Sequence, residues 1–198
     1  MAAGRNRNFD KDIALEKAMF VFWKNGYPGT SLTDLTTAMG VNKSSLYATF
    51  VNKEVLFNQA MELYLKKHGM IHFVELSKAE LSLNQRIRNY LLSSAEMITN
   101  SNLPIGCLVC HSTSEATGSG LPENSSSIIN NINKQTLLTL TNFFEKEQQQ
   151  GNLSIDKSPT VVADYLLTLQ FGLAVSARNG NSFDELKNII DYSLTVFR

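Results

Sequence analysis

Residues 31–50 read SLTDLTTAMGVNKSSLYATF, and this stretch decides the fold. Ser31 is a strong helix N-cap, and Asp34 three residues on completes a capping-box spacing. Leu32, Leu35 and Met39 then share one helical face. Gly40 stops this helix, because glycine enters the left-handed conformation of a helix end without a Cβ clash. Asn42 caps a second helix, with Val41 and Leu46 at the spacing of a hydrophobic staple. Leu46 and Phe50 point inward together. Two short helices joined by a tight turn are the layout of a helix-turn-helix.

The second helix leaves Lys43, Ser44, Ser45, Ala48 and Thr49 on its outer side, short or cationic and not needed for packing. Such side chains at a helix N-terminus suit base edges and phosphates. The expected DNA contacts are Thr30, Ser31, Asn42, Lys43, Ser44, Ser45, Tyr47, Thr49 and Lys53. Tyr47 lays its ring on the core and offers its hydroxyl to the backbone, and Lys53 suits a phosphate. Thr30 reads equally as a phosphate contact or a capping hydroxyl, and Arg5 and Arg7 equally as backbone or minor-groove contacts or a solvated tail. The same spacing also fits a plain helical hairpin with a solvated face.

Outward from this unit, a first helix spans about residues 9–25, with Ala14, Ala18, Val21 and Phe22 on one stripe. Asn52 caps a helix that runs through Lys66-Lys67-His68-Gly69, with a possible extension to Leu76. Further helices are expected over residues 83–100, over the short apolar piece 105–116, and from about 126 to 150. Residues 117–127 (TGSGLPENSSS) read as a loop. Ser158-Pro159 opens a helix whose residues 165–177 (YLLTLQFGLAVSA) are apolar nearly all round, so both faces need cover. Ser182 with Glu185 opens a last helix carrying Phe183, Leu186, Ile190, Leu194 and Phe197. The expected fold is all-α: a three-helix helix-turn-helix domain over residues 1–55, then a helical domain over 56–198.

Composition is consistent with this. The hydrophobic content of 43% over 198 residues supports a sizeable core, and the formal net charge of zero is unlike that of a protein coating nucleic acid without specificity. No signal peptide and no apolar run of membrane-spanning length is expected, which places the chain in the cytoplasm, outside any membrane. Two cysteines do not make a disulfide scaffold.

Phe22, Gly26-Tyr27, Thr30-Ser31, Leu35, Ala38, Gly40-Val41, Lys43, Leu46-Tyr47, Phe50 and Lys53-Glu54 together resemble the DNA-binding domain of the tetracycline-repressor (TetR) family. Thr36, Asn42 and Ala48-Thr49 depart from its usual residues. The Cys107–Cys110 and Ser114–Thr117 segment resembles one branch of the same family. The resemblance implies a homodimeric transcriptional regulator whose last two helices pair across a two-fold axis, most often a repressor released from a palindromic operator by a small-molecule effector. Leu166, Leu169, Leu173, Leu186, Ile190 and Leu194 are expected at the dimer interface. Phe73, Met97, Cys107, His111, Phe143, Phe144, Gln170 and Phe171 are expected around an apolar ligand pocket.

Cys107-x2-Cys110-His111 and the His68/His72 pair each supply too few ligands for a metal, so no metal or cofactor is expected; a redox role for the thiols stays open. No catalytic residues are expected, because no nucleophile elbow, phosphate loop or metalloprotease signature is present. The competing readings are an all-helical protein–protein adaptor with a vestigial helix-turn-helix and a small-molecule enzyme in the helical core.

Overall fold

A computed structural model describes residues 10–197. Among these residues the chain is all-α, as expected, with helices α1 (Lys11–Asn25), α2 (Leu32–Met39), α3 (Lys43–Phe50), α4 (Lys53–Tyr64), α5 (Leu83–Ile98), α6 (Leu108–Thr117), α7 (Glu123–Gln149), α8 (Pro159–Arg178) and α9 (Phe183–Ser193). Arg5 and Arg7 lie outside the described residues.

The caps read from sequence start these helices. Ser31 with Asp34 and Ser182 with Glu185 form reciprocal capping boxes, and Asn42, Asn52 and Ser158 each accept a backbone N–H of the following turn. A further box, Ser82 with Gln85, opens α5. Gly40 sits at φ +72° in the left-handed region and closes α2. Helix α1 packs against α2 and α4 around Phe22, Trp23, Leu46, Phe50 and Phe57, all fully buried. Val21, expected on the same stripe, is only partly buried. In the rest of the chain α7 packs along α8, and α5 packs against both α8 and α9.

Three expectations change. Helix α4 does not continue as a regular helix: one π-helical turn, Leu65–Gly69, and a 3-10 turn, Ile71–Ser77, follow it. Gly69, with Leu65 Cδ2 3.1 Å from where its Cβ would be, lies at the point where the helix breaks. The segment 117–127 is not all loop, because α7 begins at Glu123. Ser125 is buried and donates to Asn58 Oδ1 at 2.8 Å, and Ile129 anchors the same turn, so tertiary contacts override the weak helix propensity of Asn-Ser-Ser-Ser. Finally, α8 is long and apolar enough by length and composition to cross a membrane. Here it packs Val162, Ala163, Leu166, Leu173, Ala174 and Ala177 into the protein core.

Candidate nucleic-acid interface and effector cavity

Helix α3 is held by its inner face and open on its outer one. Leu46 and Phe50 are fully buried, while Lys43, Ser44 and Ala48 are exposed and Tyr47 is 40% exposed. The cap uses part of the polar set. Asn42 Oδ1 accepts from the Ser45 N–H at 2.8 Å and from the Ser44 hydroxyl at 2.7 Å. The Thr49 hydroxyl donates back to the Ser45 carbonyl at 2.9 Å. The Ser31 hydroxyl accepts from the Asp34 N–H at 3.1 Å; Asp34 Oδ2 accepts in return from the Ser31 hydroxyl at 2.6 Å and from the Ser31 N–H at 2.8 Å, and these last two bonds hold the Asp34 carboxyl below its usual range. Ser31, Asn42 and Thr49 therefore fix the backbone of the unit while standing at its surface.

Thr30 and Lys53 are placed differently from the expectation of phosphate contact. Thr30 is 2% exposed, and its hydroxyl donates to the Gly26 carbonyl at 2.6 Å. It is a buried turn-former, the capping alternative of the two readings. Lys53 Nζ donates to the Tyr27 carbonyl at 2.6 Å and lies 4.1 Å from the centre of the Tyr27 ring. Burial pushes its ammonium below the usual lysine range, against the pull of Glu115 and Asp34. Lys53 thus ties the start of α4 to the turn that precedes α2.

The same turn is gripped from the other side. Glu115 on α6 accepts the Tyr27 N–H at 3.1 Å. Arg178, at the end of α8, donates to the Trp23 carbonyl at 2.6 Å, and the Trp23 indole N–H donates to the Gly106 carbonyl at 3.0 Å. Burial pushes the Glu115 carboxyl up, partly offset by the Tyr27 N–H, Arg178 and Lys53. His111 Nε2 lies 3.5 Å from Glu115 Oε1. Burial and the Arg178 charge push the imidazole below its usual value, so at neutral pH this contact is not an ion pair. Sequence reading missed this joint, since its partners lie far apart along the chain and no local pattern marks them.

A cavity of about 70 Å³ lies between α4, α5, α6, α7 and α8. Of the side chains expected around a ligand pocket, Phe73, Met97, Cys107, Gln170 and Phe171 border this cavity. His111 does not; it belongs to the joint just described. Phe143 borders a separate groove, with the Arg86 guanidinium 4.9 Å from its ring centre. Phe144 is fully buried and stacks on Phe197 at 6.2 Å. The broken end of α4 supplies Leu65, Gly69, Met70 and His72 to the wall, which a continuous helix would have carried away from it. Tyr90, Ser94 and Asn133 also line the cavity and carry no local signal in the sequence.

The sequence model described as "Bacterial regulatory proteins, tetR family" matches residues 14–60, the segment that holds α2 and α3. The HTH-type transcriptional repressor ComR of Escherichia coli (strain K12) is 32% identical over 197 residues, covering 98% of this chain and 91% of that protein. The chain belongs to the TetR family. A Bacillus subtilis (strain 168) TetR relative, the HTH-type transcriptional regulator YezE, is 28% identical and covers 98% of both chains. A solved structure of a cysteine mutant of the TetR family regulator CifR, complexed with a 26 bp double-strand operator DNA, superposes with a TM-score of 0.87 at 31% identity, over 98% of this chain and all of that one. The chain is thus a TetR-family DNA-binding transcriptional repressor.

Within this TetR-family chain four of the expected dimer residues, Leu166, Leu173, Leu186 and Ile190, need correction. Leu166, Leu173, Leu186 and Ile190 are buried inside their own protomer, and Leu169 and Leu194 pack against the same core. The apolar side chains that α8 and α9 present outward are Val161, Val175, Ile189 and Tyr192, with Val196 beyond α9; Tyr192 is 82% exposed. A helix apolar on all sides does not reveal from its pattern which face turns inward, so the size of Leu166 and Leu173 does not tell the side they take.

Proposed function

We propose that two copies of this chain pair through the outer faces of α8 and α9 and read a palindromic operator with their α3 helices. The reading unit spans residues 1–55 and the sensing and dimerisation unit residues 56–198. Gly172 supports the pairing: it faces open space on α8 near exposed Val175, so a second helix has room to approach closely. In a two-fold pair the recognition helices must sit about 34 Å apart to enter successive major grooves. Lys43, Ser44, Ser45 and Tyr47 make the contacts, with Ser31, Asn42 and Thr49 holding the reading surface.

A small molecule in the α4–α8 cavity releases the operator. The single observation that carries this is the joint: α6 contributes Cys107, its cap residue, and Val109 to the cavity, and Glu115 on the same helix holds the Tyr27 peptide of the turn before α2. A ligand that shifts α6 favours a conformer with different operator spacing, by its differential affinity for the two. The protein acts in the cytoplasm, on DNA, without catalysing a reaction. The test is titration of full-length protein onto fragments of the DNA flanking its gene. Binding to an inverted repeat that weakens steeply with salt is expected; no shift at low salt overturns the reading.

A further inference from the structure

No Asp, Glu, Lys or Arg is among the residues that line the α4–α8 cavity. Its polar wall is neutral throughout. His72 is 3% exposed, its Nδ1 lies 2.8 Å from the Ser93 hydroxyl, and its buried Nε2 has no hydrogen-bond partner. Burial brings this imidazole down to about 4, so it is uncharged at neutral pH. The Tyr90 hydroxyl donates to Gln170 Oε1 at 2.9 Å, which fixes the amide and leaves its N–H₂ group as a donor. At the α6 N-terminus the Leu108 N–H meets the Tyr64 hydroxyl, which donates in turn to Cys107 Sγ at 3.2 Å.

An ion entering this site would lose its hydration with no counter-charge to meet it, whereas a neutral molecule would lose only the hydration of one polar group. A hydroxyl or carbonyl on that molecule finds a donor at Gln170, and a hydroxyl also satisfies His72 Nε2 in either tautomer. The volume, about 70 Å³, is below the 150 Å³ or so of an engineered cavity that binds benzene. We infer that the ligand of this cavity is a short, uncharged aliphatic molecule with a single hydroxyl or carbonyl head, and that Gln170 selects for its neutrality. This rests on the reading of the cavity as the effector site.

The test uses three probes of matched length, n-butanol, butyrate and n-butylammonium, titrated into full-length protein and followed by methyl NMR. Saturable shifts on Ile98, Val109 and Leu167 are expected with butanol, with binding at least tenfold weaker for either ion. Gln170→Glu keeps an acceptor for Tyr90 and introduces a charge, so it should reverse the order and favour butylammonium at least tenfold. Ions that bind as well as butanol, butanol shifts that do not saturate or that map away from the cavity, or an unchanged order in Gln170→Glu each overturn the inference. Operator binding measured without any probe tests the regulator reading separately. Butanol that fills the cavity yet leaves the operator bound would retain the ligand class and remove the effector role.

Discussion

Glu115 and Tyr27 are joined by a hydrogen bond from the Tyr27 backbone N–H to the Glu115 carboxylate at 3.1 Å, across 88 residues of chain. It links the helix that borders the cavity to the turn that sets the position of α2 and α3. Glu115→Ala is expected to leave operator affinity within a few-fold of wild type and to blunt its response to effector. Fluorescence anisotropy of labelled operator, with and without effector, reads both. A full response in Glu115→Ala would remove the joint from the path.

The same carboxylate makes a pH prediction. Its folded pKa lies above the ordinary glutamate value of 4.5, so the fold favours the protonated form. A group of this kind stabilises the fold below its unfolded pKa and loses that contribution as pH rises through the folded value. Relative to Glu115→Gln, wild type should therefore lose stability as pH climbs above about 4.5. Urea midpoints of the two proteins at pH 4 and pH 7.5 measure it; parallel midpoints would contradict the burial argument.

Gly26 faces this carboxylate closely. Its φ of +73° with ψ 176° is backbone that side chains rarely adopt, and a Cβ there would lie 1.9 Å from Glu115 Oε1. Gly26→Ala should destabilise the protein by about 2 kcal/mol or more. Adding Glu115→Ala should recover much of the steric part, with His111 Cε1 still 2.8 Å from the new Cβ, and leave the backbone part. A double-mutant cycle by chemical denaturation separates the two, and strict additivity would mean that the side chain yields without strain.

On the DNA face, Lys43→Ala should weaken operator binding and lower the salt slope by about one. Tyr47→Phe should weaken binding by about 1 kcal/mol with the slope unchanged, as expected for a neutral hydroxyl on a phosphate. Lys53→Met should lower stability rather than the slope, because its ammonium is held by Tyr27. A slope that falls with Lys53→Met would show that the side chain swings out to DNA.

At the outer face of α8 and α9, Tyr192→Asp or Val175→Asp should yield folded monomers in sedimentation velocity. Leu186→Ala should instead lower stability by about 2–5 kcal/mol, because Leu186 is fully buried within its protomer. Dimers that persist with both aspartates would place the interface elsewhere.

The elements that sequence revealed are those written by neighbours in the chain. Ser31 and Asp34, Asn42 and Ser45, and Ser182 and Glu185 meet within one helical turn, so their spacing is their geometry. The cavity depends on pairs such as Tyr90 with Gln170, 80 residues apart, and on a π-helical turn that no apolar period signals. Phe144 and Phe171 are alike as residues in a helical stripe; only packing sends one into the core and the other to the cavity wall. A cation at a helix start suits a phosphate, but Tyr27 holds Lys53 with its ring and its carbonyl.

The exposed stripe of Val161, Val175, Ile189 and Tyr192 bears on gene dosage. A protomer that leaves this much apolar surface wet gains stability by finding its twin, so its folding and its pairing draw on the same concentration. Halving the number of chains in a cell would then cut the number of pairs more than proportionally wherever pairing is not saturated. Operator occupancy would respond to copy number more steeply than in simple proportion.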